Sequence, residues 1–421
     1  MKYSIVIPTY NNCEQYLKPC IDSIIKYTNL KTVELVISAN GCTDNTKVYL
    51  DYLQSAFDCL GLHNHLKVVW NDSALGYPKA TNEGIKVATT DNIILLNNDT
   101  VLLEQHNNYW IDLLNKPFSN RDCGISGVNL AHSDCTNALF AVFFCVMIRK
   151  KVFADVGLLN EEYGIGSSED IEFCKIALDK GWQIASALDN GYFPIYHRGE
   201  GTVHNTDLVK DWDTVFLKNQ LRLSKKYNPA WYKWRLSNNY ERAIFLKGDE
   251  VFAREATRYK WANKNLLNNN VFELGCSTGY GRQFFDDDIV YTGLDYDPII
   301  VGVAQEQNWA DYTIFMHGDI NKVQLWNYDT IVAFEVIEHL DNGLQIVDML
   351  KMHCKRLLIT VPHNEPVGFW GEHHKLHGLN ESHFEGFEWQ YINEVGEITN
   401  SPQEITTTNR CNLMIGVWNR E

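Results

Sequence analysis

The sequence predicts an α/β protein made of two tandem α/β domains, and three observations favour this fold class. From residue 1 to about residue 200, apolar strand-like runs such as "YSIVIPTY" alternate with segments of helical spacing, which is typical of a mostly parallel sheet covered by helices. The same alternation starts again near residue 271 with "NVFELG". The 421 residues also exceed what one hydrophobic core usually holds. We therefore expect domains at 1–206 and 248–421, joined by a helical linker at 207–247.

The composition argues against a broad nucleic-acid surface. The formal net charge is −16 at pH 7, whereas binding a phosphate backbone needs a positive face. The predicted linker is rich in Lys, Arg, Trp and Tyr, which is compatible with a nucleic-acid arm with interleaved aromatics. Acidic residues are interspersed, so we favour packed aromatics and a solvated charged helix face.

The start of the chain and its apolar runs predict a cytoplasmic protein without a membrane span. The opening "MKYSIVIPTYNN" reaches Pro8 too soon for the core of a signal peptide. The longest apolar run, "ALFAVFFCVMI" at 138–148, is shorter than the roughly 20 residues of a membrane helix. Eleven cysteines without paired metal-type spacing indicate reduced thiols.

Polar clusters follow four predicted strands of the first domain. In an open parallel sheet, ligands bind at the carboxyl ends of the strands, so these clusters would share one edge. Asn, Asp and Gly also form ordinary turns, which explains one cluster better than four in a row. The clusters are "PTYNN" at 8–12, "SANGCTDNT" at 38–46, "NDSALGYPKATNEG" at 71–84 and "LNNDT" at 96–100.

Taken in order, these clusters and the segment "SSEDIEFCKIALDKGW" at 167–182 resemble a family 2 glycosyltransferase with the GT-A fold. The resemblance covers residues 1 to about 205. It implies a nucleotide-diphosphate sugar as donor substrate, a glycan or glycoconjugate acceptor, and inversion at the anomeric carbon. It also implies a divalent metal ion, Mg²⁺ or Mn²⁺, because such an ion stabilises a leaving diphosphate. Peripheral contact with a lipid-linked acceptor is compatible with it.

The resemblance assigns the metal site to the end of the strand "IILLNNDT". Asp99 stands where the family has the last acid of its Asp-X-Asp motif, and Asn97 replaces the first acid with an amide oxygen, which hard cations also accept. Asn98 lies between them and is assigned to the donor site. His197 in "YHRGEGT" matches the family's late histidine near the metal, although a structural histidine fits the same position.

Acceptor deprotonation calls for a carboxylate within hydrogen-bond reach. Asp170, which opens a predicted amphipathic helix, matches the family's catalytic base, with Glu169 beside it. A carboxylate at a helix start also serves as an N-terminal cap, but the surrounding motif favours catalysis. The remaining donor-site residues implied by the resemblance are Pro8, Thr9 and Tyr10 for the base, Asn40 near the ribose and Lys79 for the diphosphate.

In the second domain, three kinds of cofactor are candidates for the loop after "VFELG". It lacks the Gly-Lys-Ser/Thr of a P-loop, and Ser277 replaces the middle glycine of an NAD-type loop. Glu273 would repel phosphate and attract an ammonium or sulfonium group. Asp295, at the end of the next strand, is placed for ribose hydroxyls, a feature that NAD sites share.

Together with "HGDI", "DTIVAFEVIEHL" and an Arg-Tyr pair in the segment at 248–262, the loop resembles Rossmann-like S-adenosylmethionine-dependent methyltransferases over roughly 240–421. The resemblance implies S-adenosylmethionine as cofactor, with Asp319 near the adenine amino group. The cofactor-site residues that it assigns are Tyr259, Glu273, Gly275, Ser277, Gly279, Asp295, Tyr296, Asp319, Ile320 and Glu335.

His339 is the candidate base for methyl transfer to a hydroxyl. Half of the 14 histidines lie between 339 and 383, and two interpretations stay open for them. Glu335, Glu338, His339 and His373 or His374 resemble the metal ligands of small-RNA 2′-O-methyltransferases. We favour the second interpretation, a histidine-rich substrate loop.

Three functions follow. The favoured one is a bifunctional enzyme that transfers a sugar with the first domain and O-methylates a sugar hydroxyl with the second, since fusion raises the local concentration of a shared intermediate. The second is a methyltransferase whose first domain binds sugar without catalysis, as Asn97 would suggest. The third is an RNA 2′-O-methyltransferase, which the acidity of the chain disfavours.

Overall fold

The structure is a computed structural model that describes residues 1–199, 212–239, 244–369, 373–407 and 409–420. The chain divides into two compact units, Met1–Asn239 and Tyr240–Glu421. Each unit is built on a mainly parallel sheet with helical connections, so the predicted fold class of two tandem α/β domains is confirmed. Parts of the predicted linker, the end of the "YHRGEGT" segment and Glu372 lie outside the described residues.

Unit 1 contains eleven strands and eight labelled helices among the described residues. Its strands are β1 (Tyr3–Thr9), β2 (Val33–Asn40), β3 (Leu66–Asn71), β4 (Asn92–Leu96), β5 (Thr100–Leu102), β6 (Cys123–Gly127), β7 (Leu130–Ser133), β8 (Ala138–Ala141), β9 (Cys145–Arg149), β10 (Gln183–Ser186) and β11 (Ile195–His197). Its helices are α1 (Lys18–Tyr27), α2 (Thr46–Cys59), α3 (Tyr77–Val87), α4 (Tyr109–Asn115), α5 (Lys150–Val156), α6 (Glu169–Asp179), α7 (Trp212–Tyr227) and α8 (Pro229–Asn239).

The main sheet of unit 1 has the order β10-β6-β9-β4-β1-β2-β3. Strands β1, β2, β3 and β4 are parallel, and β9 pairs antiparallel with β4. All eight residues of β2 are buried, as expected for a central strand covered on both faces. The strand order reverses between β1 and β4, and ligands of open α/β sheets bind beyond the carboxyl ends of the strands at such a point.

The apolar run at 138–148 is not one helix. It contains β8 and most of β9, with Val142–Phe144 between them. Among the described residues, no helix is both long enough and apolar enough to cross a membrane.

The two described helices of the predicted linker, α7 and α8, are grouped with unit 1. Leu223 of α7 is buried against Cys135 and Tyr163, and Asn219 bonds to the chain around residue 166. The aromatic and charged residues here therefore include a buried packing face. The linker as an independent segment stays a prediction.

Unit 2 has eight strands and three labelled helices among the described residues. The strands are β12 (Asn270–Leu274), β13 (Val290–Asp295), β14 (Thr313–His317), β15 (Tyr328–Phe334), β16 (Cys354–Pro362), β17 (Glu388–Ile392), β18 (Ile398–Thr399) and β19 (Leu413–Asn419). The helices are α9 (Ala253–Lys264), α10 (Pro298–Gln305) and α11 (Gly343–Met352).

The sheet of unit 2 has the order β14-β13-β12-β15-β16-β19-β17-β18. The first five strands are parallel, and β19 runs antiparallel between β16 and β17. This Rossmann-like order reverses between β12 and β15, which places the ligand-binding edge beside the ends of these two strands.

Candidate functional site

The reversal point of the unit 1 sheet is closed by a direct hydrogen bond. Asn98, after β4, donates from Nδ2 to Thr9 Oγ1 at the end of β1, at 2.9 Å. Thr9 and Asn98 are both buried, as is Pro8, while Tyr10 is half-buried. Four residues assigned to the donor from sequence therefore lie together at this edge.

Beyond β1 the chain takes a strained course. Asn11 and Asn12 both have positive φ, 49° and 54°, a region that non-glycine residues rarely occupy. The Asn11 Oδ1 atom accepts from the backbone N–H of Thr43 at 2.7 Å, which ties the loop after β1 to the loop after β2. A cavity of about 400 Å³ opens between these loops. Its lining residues are Asn11, Asn12, Cys13, Glu14, Gln15, Thr43, Asp44 and Asn45.

The two other predicted donor residues differ in environment. Asn40, at the end of β2, is buried and accepts from the backbone N–H of Leu75 at 2.6 Å through Oδ1. Lys79 lies in the first turn of α3 and is exposed. Asn40 therefore shapes the loop at 72–76, whereas Lys79 is able to reach a ligand from solvent.

The predicted metal residues come together. Strand β11 pairs with β5 so that His197 lies opposite Thr100, and His197 Nε2 is 3.3 Å from Asp99 Oδ1. The His197 ring stacks on Phe144 with centroids 4.2 Å apart, which fixes its orientation. The Asn97 Oδ1 atom is buried and accepts no hydrogen bond from the described residues. Carboxylate, imidazole and amide groups suit a divalent cation.

A cation that the sequence did not single out neighbours this site. Arg198 donates its backbone N–H to Asp99 O at 3.1 Å, and its guanidinium lies 5.0 Å from the ring centroid of Tyr16. The side chain is exposed. Only the pairing of β11 with β5 brings it here, so no local motif would have identified it.

The predicted base opens α6. Asp170 accepts from the backbone N–H of Ile171 at 2.8 Å, and Glu169 beside it is 6% exposed. Burial raises the pKa of both carboxyls, and in Glu169 the charge of Asp170 raises it further. Among the described residues, Glu169 Oε2 has no hydrogen-bond partner. The pair is thus able to hold a proton, as a general base must.

The loop before α6 has an unusual backbone. Gly164, Gly166, Ser167 and Ser168 all have positive φ, and for the serines the values are 80° and 75°. The loop packs so closely on the start of α3 that a Cβ added at Gly76 would come within 1.9 Å of Gly164 O. Such backbone strain is seen mainly where the surrounding structure holds it for function.

Tyr77 connects the base and metal regions. Its hydroxyl donates to Phe143 O at 2.8 Å, and its backbone N–H donates to the carbonyl of residue 165 at 3.0 Å. Burial raises the pKa of Tyr77, and the charges of Glu169, Asp170 and Asp99 raise it further. The backbone of Phe143 also hydrogen-bonds Asp170, and the carbonyl of Phe144 accepts from the Asn97 N–H at 2.8 Å, so the base and metal regions meet at these two adjacent residues.

In unit 2, the loop after β12 has the backbone of a ligand-binding turn. Gly275, Ser277 and Gly279 have positive φ, and the backbone N–H of Ser277 donates to Asp295 Oδ2 at 2.8 Å. A Cβ at Gly279 would come within 2.5 Å of Phe315, so glycine is required there. The Ser277 hydroxyl is buried, with no hydrogen-bond partner among the described residues.

Glu273 lies at the end of β12, as the motif predicts, but it is 1% exposed. Its two oxygens accept hydrogen bonds from the hydroxyls of Tyr259 and Tyr291. Burial raises the pKa of Glu273 to about 7. Direct contact of Glu273 with a cationic cofactor stays a prediction. In the structure, Glu273 and Tyr259 are buried and hydrogen-bonded to each other at the start of the loop.

The remaining predicted cofactor residues follow β13 and β14. Asp295 is buried, and its Oδ1 accepts from the backbone N–H of Asp297 at 3.1 Å, whereas Tyr296 is 74% exposed. Asp319 accepts from the backbone N–H of residue 321 at 2.9 Å, and its pKa is lowered chiefly by that hydrogen bond. Ile320 is buried. A strand-end acid and an exposed ring suit a nucleoside.

Glu335 and Arg258 lie on the two sides of this edge. Glu335, after β15, has φ 52° and accepts from Thr360 Oγ1 at 3.0 Å. Arg258 of α9 is 6% exposed and donates to Tyr280 Oη at 2.8 Å, but its Nε has no hydrogen-bond partner among the described residues. Sequence reasoning missed Arg258, although the Arg-Tyr pair was noted.

A second cluster of metal-type ligands follows β15. Nitrogen and oxygen atoms of Glu338, His339 and His374 lie within 4.8 Å of one another. Glu338 is fully buried, and neither carboxylate oxygen has a hydrogen-bond partner among the described residues. Glu365 orients His374, with its Oε2 atom 2.6 Å from Nδ1. His339 is exposed, so it is open to an acceptor or to an ion.

Comparison with known proteins gives a family for the first part of the chain. Residues 4–157 match the model described as "Glycosyl transferase family 2". The glycosyltransferase GlyG of Streptococcus pneumoniae serotype 4 (strain ATCC BAA-334 / TIGR4) is 26% identical over 148 residues, which are 34% of this chain and 45% of that protein. The chain therefore spans less than half the length of this curated relative.

Solved structures resemble the chain at low identity. A structure of GalNAc-T7 with UDP, GalNAc and Mn²⁺ is 16% identical, covers 58% of this chain and 52% of that one, and has a TM-score of 0.45. Magnesium protoporphyrin IX methyltransferase from Synechocystis PCC 6803 with bound SAH is 16% identical, covers 46% and 95%, and has a TM-score of 0.31. The match to the family 2 glycosyl transferase model therefore covers residues 4–157, which include the Asn97–Asp99 segment but not Asp170.

Proposed function

We propose that unit 1 transfers a sugar from a nucleotide-diphosphate sugar to a glycan or glycoconjugate acceptor. One observation carries the proposal: the backbone of Phe143 hydrogen-bonds Asp170, while the carbonyl of the next residue, Phe144, accepts from the Asn97 N–H at 2.8 Å. A metal ligand and a base near one another are what the two halves of the reaction need.

The residues around Asp99 fit a divalent ion. Asn97 Oδ1 is buried without a partner among the described residues, and His197 Nε2 faces Asp99 Oδ1 at 3.3 Å. When bound, Mg²⁺ or Mn²⁺ would supply Lewis-acid stabilisation of the diphosphate as its bond to the sugar breaks. The chain itself supplies Asn98 and Thr9, which keep the ends of β4 and β1 in register at 2.9 Å.

Asp170 is the proposed base. As the acceptor oxygen bonds to the anomeric carbon, its proton passes to the carboxylate of Asp170, and the bond from that carbon to the diphosphate oxygen breaks. Displacement from the opposite face inverts the anomeric carbon. A base with a raised pKa is better matched to neutral pH than an ordinary aspartate, and burial raises the pKa of Asp170.

The test of unit 1 uses a panel of donors: UDP-glucose, UDP-galactose, UDP-N-acetylglucosamine and GDP-mannose. Water takes the place of the unknown acceptor, and the nucleoside diphosphate that hydrolysis releases is measured. We expect release that requires Mn²⁺ or Mg²⁺ and is lost in Asp99→Ala. A control is Asp58→Ala, which changes an exposed aspartate in α2. Metal-independent release, or equal rates in both variants, would contradict the metal site. No release from any donor would favour a sugar-binding role without catalysis.

For unit 2 we propose transfer of a methyl group from S-adenosylmethionine to a sugar hydroxyl. The buried unpartnered Ser277 hydroxyl and Asp295 beneath the loop are groups that a nucleoside would engage. When bound, S-adenosylmethionine would supply the methyl group and leave as S-adenosylhomocysteine, and the exposed His339 would take the proton of the acceptor hydroxyl. Calorimetric titration with S-adenosylhomocysteine tests the cofactor: we expect binding, and its absence would remove the proposal.

In an alternative to its role as base, His339 would bind a divalent ion together with Glu338 and His374, and that ion would supply a binding site for a sugar diol. Glu338 is the specific support, because a buried carboxylate without a hydrogen-bond partner is costly unless a cation neutralises it. Titration of MnCl₂ into Asp99→Asn, which weakens the metal site of unit 1, isolates this ion. We expect Asp99→Asn to bind Mn²⁺, and we expect this binding to be lost when Glu338→Gln is added. Adding Asp348→Asn instead is the control and should leave the binding unchanged. If neither added substitution abolishes Mn²⁺ binding, the histidine-rich substrate loop is favoured.

The RNA 2′-O-methyltransferase alternative keeps the same residues and changes the acceptor. With labelled S-adenosylmethionine, we expect the label to be incorporated into a mixture of oligosaccharides and not into a mixture of small RNAs. Methylation stimulated by RNA would reverse this choice.

A further inference from the structure

Helix α7 contacts the loop that carries the proposed base. Asn219 of α7 is 6% exposed. Its Nδ2 atom lies 3.1 Å from Tyr163 O, 2.9 Å from Gly166 O and 3.2 Å from Ser167 O. Three carbonyls of one short loop therefore converge on one buried amide group.

The carbonyls that Asn219 binds belong to the strained part of the loop. Gly166, Ser167 and Ser168 have φ of 134°, 80° and 75°, and left-handed non-glycine residues persist only where surrounding contacts hold them. Glu169 and then Asp170 follow directly. The conformation that Asn219 holds is thus the one that sets where α6 begins.

The rest of α7 strengthens the same contact. Arg222 donates from Nη1 to Glu162 O at 2.9 Å, one residue before the first carbonyl bound by Asn219. Lys226 Nζ and Tyr227 Oη donate to Glu172 Oε1 at 3.0 and 3.2 Å. One face of α7 therefore holds the base segment on both sides of Asp170.

We propose that Asn219 is a positioning residue for Asp170: by binding the carbonyls of residues 163, 166 and 167 it fixes the left-handed serines and directs Asp170 toward the acceptor. This inference rests on the proposed function of unit 1. It goes beyond that function because Asn219 lies outside residues 4–157, which match the family model. Within the part of the chain that the structure describes, the hydrogen bonds of the Asn219 side chain go to the loop before α6 and not to Asn97, Asp99 or His197.

The test uses Asn219→Ala in the full chain, with Leu221→Ala as the matched control. Leu221 is also buried on α7 but is not among the residues that pack with Tyr163. With the donor that is hydrolysed best, we expect kcat of Asn219→Ala to fall about 100-fold, because a displacement near 1 Å costs about that much. The KM for the donor should change less than about 3-fold, since binding energy to the donor is untouched. Leu221→Ala should keep its kcat below its melting temperature.

A double variant separates positioning from loss of stability. If Asn219 acts through Asp170, Asn219→Ala/Asp170→Asn should be no slower than Asp170→Asn, because residues that act as a unit are not additive. A further loss of 10-fold or more in the double variant would overturn the proposal. An unchanged kcat in Asn219→Ala, where Asp170→Asn is slow, would do the same. An unchanged rate in Asp170→Asn would instead refute the proposed base.

A measurement without turnover covers the case in which no donor is hydrolysed. Amide hydrogen exchange should rise at residues 164–171 in Asn219→Ala and stay near wild type in Leu221→Ala, because of these two residues only Asn219 hydrogen-bonds to that loop. Asn219→Asp serves if the alanine variant is poorly folded, since a carboxylate facing three carbonyls repels them. Unchanged exchange at 164–171 in the folded variant would overturn the proposal.

Discussion

Asp99 in unit 1 and Glu273 in unit 2 are buried acids at or just after the carboxyl ends of central strands, but their surroundings differ. Asp99 faces His197 Nε2 at 3.3 Å beside the unpartnered Asn97 Oδ1. Glu273 accepts from two tyrosine hydroxyls. Asp99 therefore lies beside nitrogen and oxygen atoms of the kind that bind cations, whereas the carboxylate of Glu273 is already hydrogen-bonded to protein donors. An acid after a buried strand therefore indicates the edge of the sheet, while its neighbours decide between site and scaffold.

The same contrast holds for the acids that follow. Asp170 and Glu169 keep a raised pKa, chiefly through burial, whereas Asp295 is held by backbone N–H groups of Ser277 and Asp297. Asp170 and Glu169 thus favour a bound proton, whereas Asp295 shapes the loop after β12. Four variants test this difference, from the largest expected effect to the smallest.

Asp170→Asn should reduce sugar transfer by about 10²–10⁴-fold, the range for loss of a general base, without changing the binding of S-adenosylhomocysteine to unit 2. Rates of nucleoside diphosphate release and calorimetry measure the two effects. Glu83→Gln, a change on the outer part of α3, is the control. If both activities fall together, the two units are not independent and the comparison fails.

Asp295→Ala should weaken S-adenosylhomocysteine binding by about 10–100-fold, since hydrogen bonds to a charged group contribute about 1.5–3 kcal/mol. Loss of the Ser277 and Asp297 contacts would also loosen the loop after β12. Isothermal titration calorimetry gives the affinity, and Asp297→Ala, which removes only the cap of α10, is the comparison. Unchanged affinity in Asp295→Ala would show that the acid serves the fold alone.

Tyr291→Phe should lower the free energy of unfolding of unit 2 by about 1–3 kcal/mol, because it leaves a buried carboxylate oxygen of Glu273 without its donor. Urea unfolding followed by tryptophan fluorescence measures the change. Tyr312→Phe is the matched control, since that ring is 73% exposed. A loss of cofactor affinity with no loss of stability would instead make Glu273 a ligand residue, which is the original sequence prediction.

Glu169→Gln should stabilise unit 1 at alkaline pH. The folded-state pKa of Glu169 is raised, so its contribution is fully present below the unfolded value, about 4.3, and is lost as pH rises through the folded pKa. Glutamine removes that loss. We expect the melting temperature of Glu169→Gln to exceed that of wild type by at least about 2 °C at pH 8.5, with a smaller difference at pH 5. Equal melting temperatures at both pH values would mean that Glu169 ionises freely.

Several residues named from the strand-end motifs lie together in the structure, while the roles assigned to them stay predictions. Asn98 bonds to Thr9, His197 faces Asp99, and Gly275, Ser277 and Gly279 have the positive φ of a tight turn. These elements were readable because a strand end and a following turn are local, and because parallel strands share an edge.

Contacts between distant segments could not be read in this way. Asn219 lies 53 residues from Gly166 in the chain, and Arg198 reaches Asp99 only through the pairing of β11 with β5. A lone asparagine in a helix carries no local pattern that says which carbonyls it will bind.

By itself, the sequence determined that two α/β units follow one another and which residues end their strands, since apolar periodicity and turn residues act over short distances. The tertiary structure alone decided which of those residues are exposed to a ligand and which are satisfied by protein donors. The physical reason is that the burial and the hydrogen-bond partners of Asp99, Glu273 and Glu338 come from segments far apart in the chain.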